Sequence, residues 1–217
     1  MKLLLRLEKG EKVKYISHLD MQRLFQRALR RAKLPCAYSQ GFNPHMLVSF
    51  ACALPVGVCS KAEYVEVVLE RFVPPTECMA RLNEVLPDGV KILNACEPKD
   101  TDPTVGSVIA LAEYSFMLKD SGSVQDKLDS MLKKQEILIE KKTKKGFATV
   151  NVRNMIHSVK QKDNMLYATL SCSNSENLRA DKFREILLEA GIETFSAVRE
   201  KLFIISDGTL KEPLETE

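Results

Sequence analysis

Residues 17–55 read SHLDMQRLFQRALRRAKLPCAYSQGFNPHMLVSFACALP, a helix followed by a turn-rich loop and a strand. Ser17 can cap the first helical turn by accepting the backbone N–H of Asp20, whose carboxylate adds favourable charge at the helix N-terminus. Met21, Leu24, Phe25, Ala28 and Ala32 recur at the three-and-four spacing that keeps one stripe against a core. At about 100° per residue, Arg23, Arg27, Arg30 and Arg31 fall opposite that stripe and form a guanidinium ridge. Leu34-Pro35 ends the helix, because the residue before proline is pushed out of the α region and proline has no N–H to donate. Gly41 and Asn43-Pro44 then mark turns, and a strand is expected from Leu47 to Ala53.

Upstream of this stretch, Leu3, Leu5 and Leu7 alternate with Arg6 and Glu8, the period of a half-buried strand. Downstream, LPVGVCSKA turns the chain into a second strand, expected from Glu63 to Phe72, in which Val65, Val67 and Leu69 share a face. A helix follows Pro74-Pro75 with Met79, Leu82 and Leu86 inward, and Val90 to Ala95 supplies another strand. Strand, helix, strand, strand, helix, strand is the ferredoxin-like order. Residues 98–106 are charged and turn-rich, as in a linker.

From Ala110 the pattern returns. A strand through Leu118 precedes a helix with Val124, Leu128, Met131 and Leu132 inward, and a strand from Glu136 to Glu140 leads into a basic turn at Lys141 to Gly146. Residues 147–158 fit either a strand or a short helix. Leu166 to Ser171 reads as a strand, Asp181 to Ala190 as a helix closed by Gly191, and Phe195 to Ser206 as the last strand. The expectation is an α+β protein of two tandem ferredoxin-like (βαββαβ) domains with antiparallel sheets. They occupy residues 1–97 and, with an insertion, 107–207; a linker spans 98–106 and a flexible tail 208–217.

A chain of 217 residues that is 45% hydrophobic can fill two small cores. The formal net charge of +3 excludes a polycation, so attraction to nucleic acid has to come from clustering, as on the first helix. Cys36, Cys52, Cys59, Cys78, Cys96 and Cys172 contain no CxxC pair and read as reduced, mostly buried thiols. The apolar run in MKLLLRLEKGEK is too short for a signal peptide, and no stretch approaches the ~20 apolar residues of a membrane span. A cytoplasmic protein without membrane association is expected.

Arginines opposite an apolar stripe are often no more than a solvated face. After Asp20, however, this ridge contains no carboxylate to neutralise it, and phosphate is the natural counter-anion. Lys33, Tyr38, Gln40, Phe42, Asn43 and His45 add stacking surface and hydrogen-bonding groups suited to unpaired bases, so the combination points to RNA. Lys141, Lys142, Lys144 and Lys145 could extend the phosphate contacts or serve only as a soluble hairpin tip. His18 and His45 flank the ridge, and two histidines near a phosphate can act as general base and acid in metal-independent RNA cleavage. The bland alternative is that His18 packs in the first helical turn and His45 binds backbone in the loop.

No cluster has metal-ligand spacing. The closest cysteines, Cys52 and Cys59, read as paired core thiols across a hairpin. Phosphate-binding glycine loops are also missing, and no cofactor is expected.

SHLDMQRLFQRALRRAKLP, GFNPH, VSFACALPVGV and Glu63-Tyr64 resemble the radical-SAM-linked protein family, a domain of unknown function fused to, or encoded beside, radical-SAM enzymes. VNVRNMIHSV and AVREKLFII are thinner matches further on. Family members usually carry proline and a basic residue after the histidine, where this chain has Met46 and Leu47. The CxxxCxxC signature of a radical-SAM cluster is absent, so the resemblance implies a partner of a radical-SAM enzyme rather than the enzyme itself. The expected function is that of a non-catalytic accessory protein holding an RNA or ribonucleoprotein substrate. A ribonuclease using His18 and His45, and a module docking on the radical-SAM partner, are the alternatives.

Overall fold

The computed structural model describes residues 1–99, 101–120, 122–143, 146–206 and 208–214. The chain opens with β1 (Lys2–Lys9), whose Leu3, Leu5 and Leu7 are buried on one face. Helix α1 (His18–Arg31) follows, then β2 (Val48–Phe50), β3 (Cys59–Val68), α2 (Pro75–Val85) and β4 (Val90–Cys96). A one-turn α3 (Val105–Val108) leads into β5 (Ile109–Leu118) and α4 (Gln125–Leu132). The hairpin β6 (Leu138–Thr143) and β7 (Gly146–Asn151) precedes β8 (Ile156–Lys162) and β9 (Met165–Ser171). Helix α5 (Ala180–Glu189), β10 (Thr194–Ser206) and β11 (Thr209–Lys211) complete the fold.

The two halves repeat one connectivity. In the first, β1 lies between β4 and β3, and β2 pairs with β3 beyond it; in the second, the order is β10-β5-β9-β8. Leu3 opposes Val67 and Leu5 opposes Val65 on the β1–β3 ladder, which places four apolar side chains on one face. That face receives Met21, Phe25, Ala28 and Leu29 from α1 and Cys78 and Leu82 from α2. Phe25 has no exposed surface, and burying a side chain of that size is worth about 1.5–3 kcal/mol. In the second half, Phe116 and Leu166 pack under Phe183 and Leu187 of α5 and Leu128 of α4.

The sheets expected to be separate are joined. Cys59 and Ser60 of β3 pair in parallel with Val198 and Arg199 of β10, giving one nine-stranded, mostly antiparallel sheet. β2 uses the other end of the same β3 edge, at Val65 to Val67. This explains why β3 begins at Cys59 rather than at the expected Glu63, and why the expected strand Leu47–Ala53 shrinks to three paired residues. Leu4, Ala62 and Tyr64, on the other face of the first half, join the second hydrophobic cluster.

The ambiguous stretch 147–158 contains a strand, a 3-10 turn at Arg153–Met155 and the start of another strand. The β6–β7 hairpin is a separate two-stranded sheet inserted into the second half. Part of the expected flexible tail is built into the structure. β11 pairs with β10, and the buried Glu212 carboxylate accepts from Arg6 at 2.9 Å and sits 2.8 Å from Lys201. Residues 215–217 of that tail lie outside the described residues. No helix among the described residues is long and apolar enough to cross a membrane.

Candidate functional site

Helix α1 starts where its capping chemistry requires. Ser17 is extended (φ −66°, ψ 160°), its Oγ accepts the Asp20 N–H at 3.2 Å, and its hydroxyl donates to the Asp20 carboxylate at 2.8 Å. That hydroxyl, then Arg23, hold the Asp20 carboxyl below its usual range, and the charge of Arg27 adds to the effect. Arg23, Arg27, Arg30 and Arg31 are all exposed on the face away from the core.

The ridge is not uniform. Arg23 Nη1 is 3.1 Å from Asp20, and Arg31 Nη2 donates at 2.6 Å to the Val85 carbonyl, one of the acceptors left open at the C-terminus of α2. The side chains of Arg27 and Arg30 have no hydrogen-bond or ion-pair partner among the described residues. Lys33, just past the helix, adopts φ +52°, a left-handed conformation that normally falls to glycine at a helix end. Its exposed side chain continues the cationic surface.

The loop from Gln40 to His45 is exposed throughout. Gly41 has φ +128°, which a side chain rarely adopts, and Phe42 stands fully in solvent. The base of the loop is fixed by Ser39, which donates its N–H to the His45 carbonyl (2.9 Å), accepts the His45 N–H at Oγ (3.1 Å) and lies 2.8 Å from His45 Nδ1. A tight base with a free tip presents Phe42 and Asn43 without ordering them against the body. Beside it, a cavity of about 260 Å³ is lined by His45, Met46, Val48, Lys2, Glu66 and Thr104.

The two histidines have different surroundings. His45 is exposed, whereas His18 is half-buried, edge-on to Phe50 at 5.6 Å between ring centroids, with Nε2 at 3.1 Å from Gln22. Burial lowers the His18 pKa, opposed by the charge of Glu63. Of the basic turn in the inserted hairpin, Lys141 is exposed, Lys144 and Lys145 lie outside the described residues, and the sequence alone speaks for Lys142.

Sequence reasoning passed over a second constellation, at the joint of the two halves. Arg199 is completely buried; its Nη2 donates at 3.3 Å to the Ala53 carbonyl and lies 3.5 Å from Glu63, itself buried. Arg199 Nε and Nη1 and Glu63 Oε1 have no hydrogen-bond partner among the described residues. The guanidinium carbon is 5.9 Å from the centroid of the Tyr114 ring. Buried Lys9 donates to the Lys14 and Ile16 carbonyls at 3.0 and 2.8 Å, and burial lowers its pKa against the pull of Glu63.

A strand-period signal existed for two of these groups. Glu63 is in phase with the inward Val65 and Val67, and Arg199 is in phase with the buried Ala197. The expected Cys52–Cys59 pair does not form. Cys59 Sγ is 3.1 Å from Glu11, while Cys52 Sγ lies 3.1 Å from Cys172. Among the described residues, no group of three or more His, Cys, Asp or Glu side chains has the arrangement of a metal site.

Residues 2–180 match the model of a family described as an uncharacterized protein conserved in bacteria (DUF2344). The chain belongs to that family. No curated protein matches it. Among solved structures it is similar, at 14% identity and a TM-score of 0.43, to a chain of a crystal structure of a Cbf5-Nop10-Gar1 complex. The match covers 92% of this chain and 48% of that one, so the chain spans about half the length of the structure it matches.

Proposed function

We propose that this member of an uncharacterized bacterial family is a non-catalytic accessory protein of a radical-SAM system that holds an RNA or ribonucleoprotein substrate through its first half. The reading takes the two halves as tandem ferredoxin-like domains divided at residues 98–106, supported by their shared strand order. The observation that carries the RNA part is the pair Arg27 and Arg30, exposed and unpartnered on the ridge that continues to Lys33. Guanidinium groups without a direct ion pair match phosphate oxygens in charge and fork geometry. The solvent-exposed Phe42 ring, with exposed Gln40, Asn43 and His45 in the same loop, offers the stacking and hydrogen-bonding surface that unpaired bases use. The radical-SAM association rests on the motif resemblance of residues 17–64.

The accessory reading is favoured over ribonuclease chemistry because both histidines already have local partners, His18 with Gln22 and the Phe50 ring, His45 with Ser39. The test is a titration of labelled single-stranded and structured RNAs at several salt concentrations. Affinity is expected to fall steeply with salt, and Arg27→Gln and Arg30→Gln each to flatten the log–log slope by about one. Phe42→Ala should weaken binding by about 1–3 kcal/mol. Failure of the wild-type protein to bind either RNA at low salt, or an unchanged slope in the arginine variants, would replace this reading with protein docking. Histidine-dependent cleavage in the presence of a chelator would replace it with the ribonuclease.

A further inference from the structure

Cys52 lies two residues past β2 and Cys172 one residue past β9, so they belong to different halves of the fold and are separated by 120 positions. Their sulfurs are nevertheless 3.1 Å apart. A disulfide requires about 2.05 Å, so the two need approach by only ~1 Å. The two cysteines differ in access. Cys52 is half-buried in a bend of the loop between β2 and β3, whereas Cys172 is buried and its N–H is bonded to the Ala110 carbonyl.

The surroundings supply a reason for one of these sulfurs to be anionic. Arg199, completely buried, brings into the joint a cation that cannot shed its proton, 3.5 Å from the Glu63 carboxylate and with two of its nitrogens without a hydrogen-bond partner among the described residues. A thiolate at Cys52 gives that guanidinium a further anionic neighbour, where burial makes an incompletely solvated charge costly. The hydrogen bond with Cys172 and the Arg199 guanidinium lower the Cys52 thiol, outweighing the opposing effect of burial; the same contact and burial push Cys172 up. Elsewhere the thiols behave differently, for burial pushes Cys36 and Cys59 up to about 11.

We propose that Cys52 and Cys172 are a hydroperoxide-oxidised pair, Cys52 the attacking thiolate and Cys172 the resolving thiol, whose disulfide staples the two halves of the chain together. In the first step the Cys52 sulfur attacks the terminal oxygen of the hydroperoxide. The S–O bond forms, the O–O bond breaks, and Cys52 becomes a sulfenic acid while the peroxide is reduced to an alkoxide. The alkoxide takes the Cys172 proton and leaves as the alcohol, or as water when the oxidant is hydrogen peroxide. The Cys172 thiolate then attacks the Cys52 sulfur, forming the S–S bond and expelling hydroxide, which solvent protonates.

The experiment treats the full-length reduced protein with hydrogen peroxide at neutral pH, blocks remaining thiols and maps the peptides by mass spectrometry. Cys52 linked to Cys172 within one chain is expected, with Cys36, Cys59, Cys78 and Cys96 still free and the thermal unfolding midpoint raised. In Cys172→Ser, dimedone should capture Cys52 as the sulfenic acid; in Cys52→Ser, Cys172 should stay unmodified. Before oxidation, iodoacetamide should label Cys52 about tenfold faster than Cys59, since only the thiolate reacts. Oxidation of Cys52 no faster than that of Cys59, or a Cys52 sulfenic acid that persists in the wild-type protein without the link to Cys172, overturns the proposal. The cysteine-to-serine changes are nearly isosteric, and unfolding of the untreated variants by heat provides the check that each is folded.

Discussion

The same guanidinium group occurs in two opposite settings in this protein. On α1, the Arg27 and Arg30 side chains stand in water without hydrogen-bond or ion-pair partners among the described residues; on β10, Arg199 is fully buried against Glu63 and the Tyr114 ring. Water solvates the first pair, so leaving them unpaired costs the fold little and keeps them available to an external anion. Arg199 has no such solvent, and two of its nitrogens lack hydrogen-bond partners among the described residues, so its charge must be balanced by Glu63 and by whatever else in the joint is negative. Substituting the exposed arginines therefore tests the proposed binding, and substituting the buried one tests how the halves are held together.

The largest effect should come from unbalancing the buried site. Glu63→Gln keeps the side-chain volume but leaves Arg199 and Lys9 without their carboxylate, and is expected to destabilise the protein by about 3–5 kcal/mol in denaturant unfolding. Adding Arg199→Met should recover most of that loss, because the double variant removes both charges. A double variant no more stable than Glu63→Gln would mean that Arg199 matters for its packing rather than for its charge balance. On α1 the same measurement should separate capping from the ridge. Ser17→Ala removes the acceptor of the Asp20 N–H and should cost about 1 kcal/mol, whereas Arg27→Gln together with Arg30→Gln should stay within about 0.5 kcal/mol of wild type. A substantial loss in the arginine double variant would break the contrast between the two settings.

The smallest expected effect lies at Lys33. Glycine relieves the left-handed backbone strain at φ +52° but adds freedom to the unfolded chain, so Lys33→Gly should stabilise the protein by up to about 1 kcal/mol. If the charge serves phosphate binding, the same variant should bind RNA more weakly despite folding better. Stability and affinity rising together would assign Lys33 no role in the cationic surface.

The individual elements were largely legible because their signals are local. Ser17 and Asp20 satisfy each other across one turn, and the stripe Met21, Phe25 and Ala28 repeats within one helix, so the start and inward face of α1 needed no distant information. Period-two alternation likewise marked β1, β9 and β10 to within a residue or so. The Arg ridge and the Phe42 loop were also visible, since exposure of charged side chains opposite an apolar stripe follows from helix geometry. What helix geometry did not show is that Arg31 has a partner, because Val85 lies 54 positions away and meets it only when α1 and α2 pack side by side, whereas the Arg23–Asp20 pair is a contact within one turn.

The boundaries that moved did so for the same reason. β3 starts at Cys59 because β10, more than a hundred residues later, pairs with Cys59 and Ser60 while Lys9 of β1 pairs with Ser60 from the other side; no local pattern in CSKA announces such partners. Residues 209–212 looked like a polar tail until β11 found β10 and Glu212 found Arg6 and Lys201. By itself, then, the sequence determined the four longer helices, most strands and the cationic face, all products of capping and periodicity over a few residues, but not the one-turn α3 at the end of the expected linker. Only the tertiary structure decided that the two halves share one sheet, and hence that Arg199, Glu63, Cys52 and Cys172 meet. Their proximity is set by strand pairing over a long chain separation, which side-chain period does not encode.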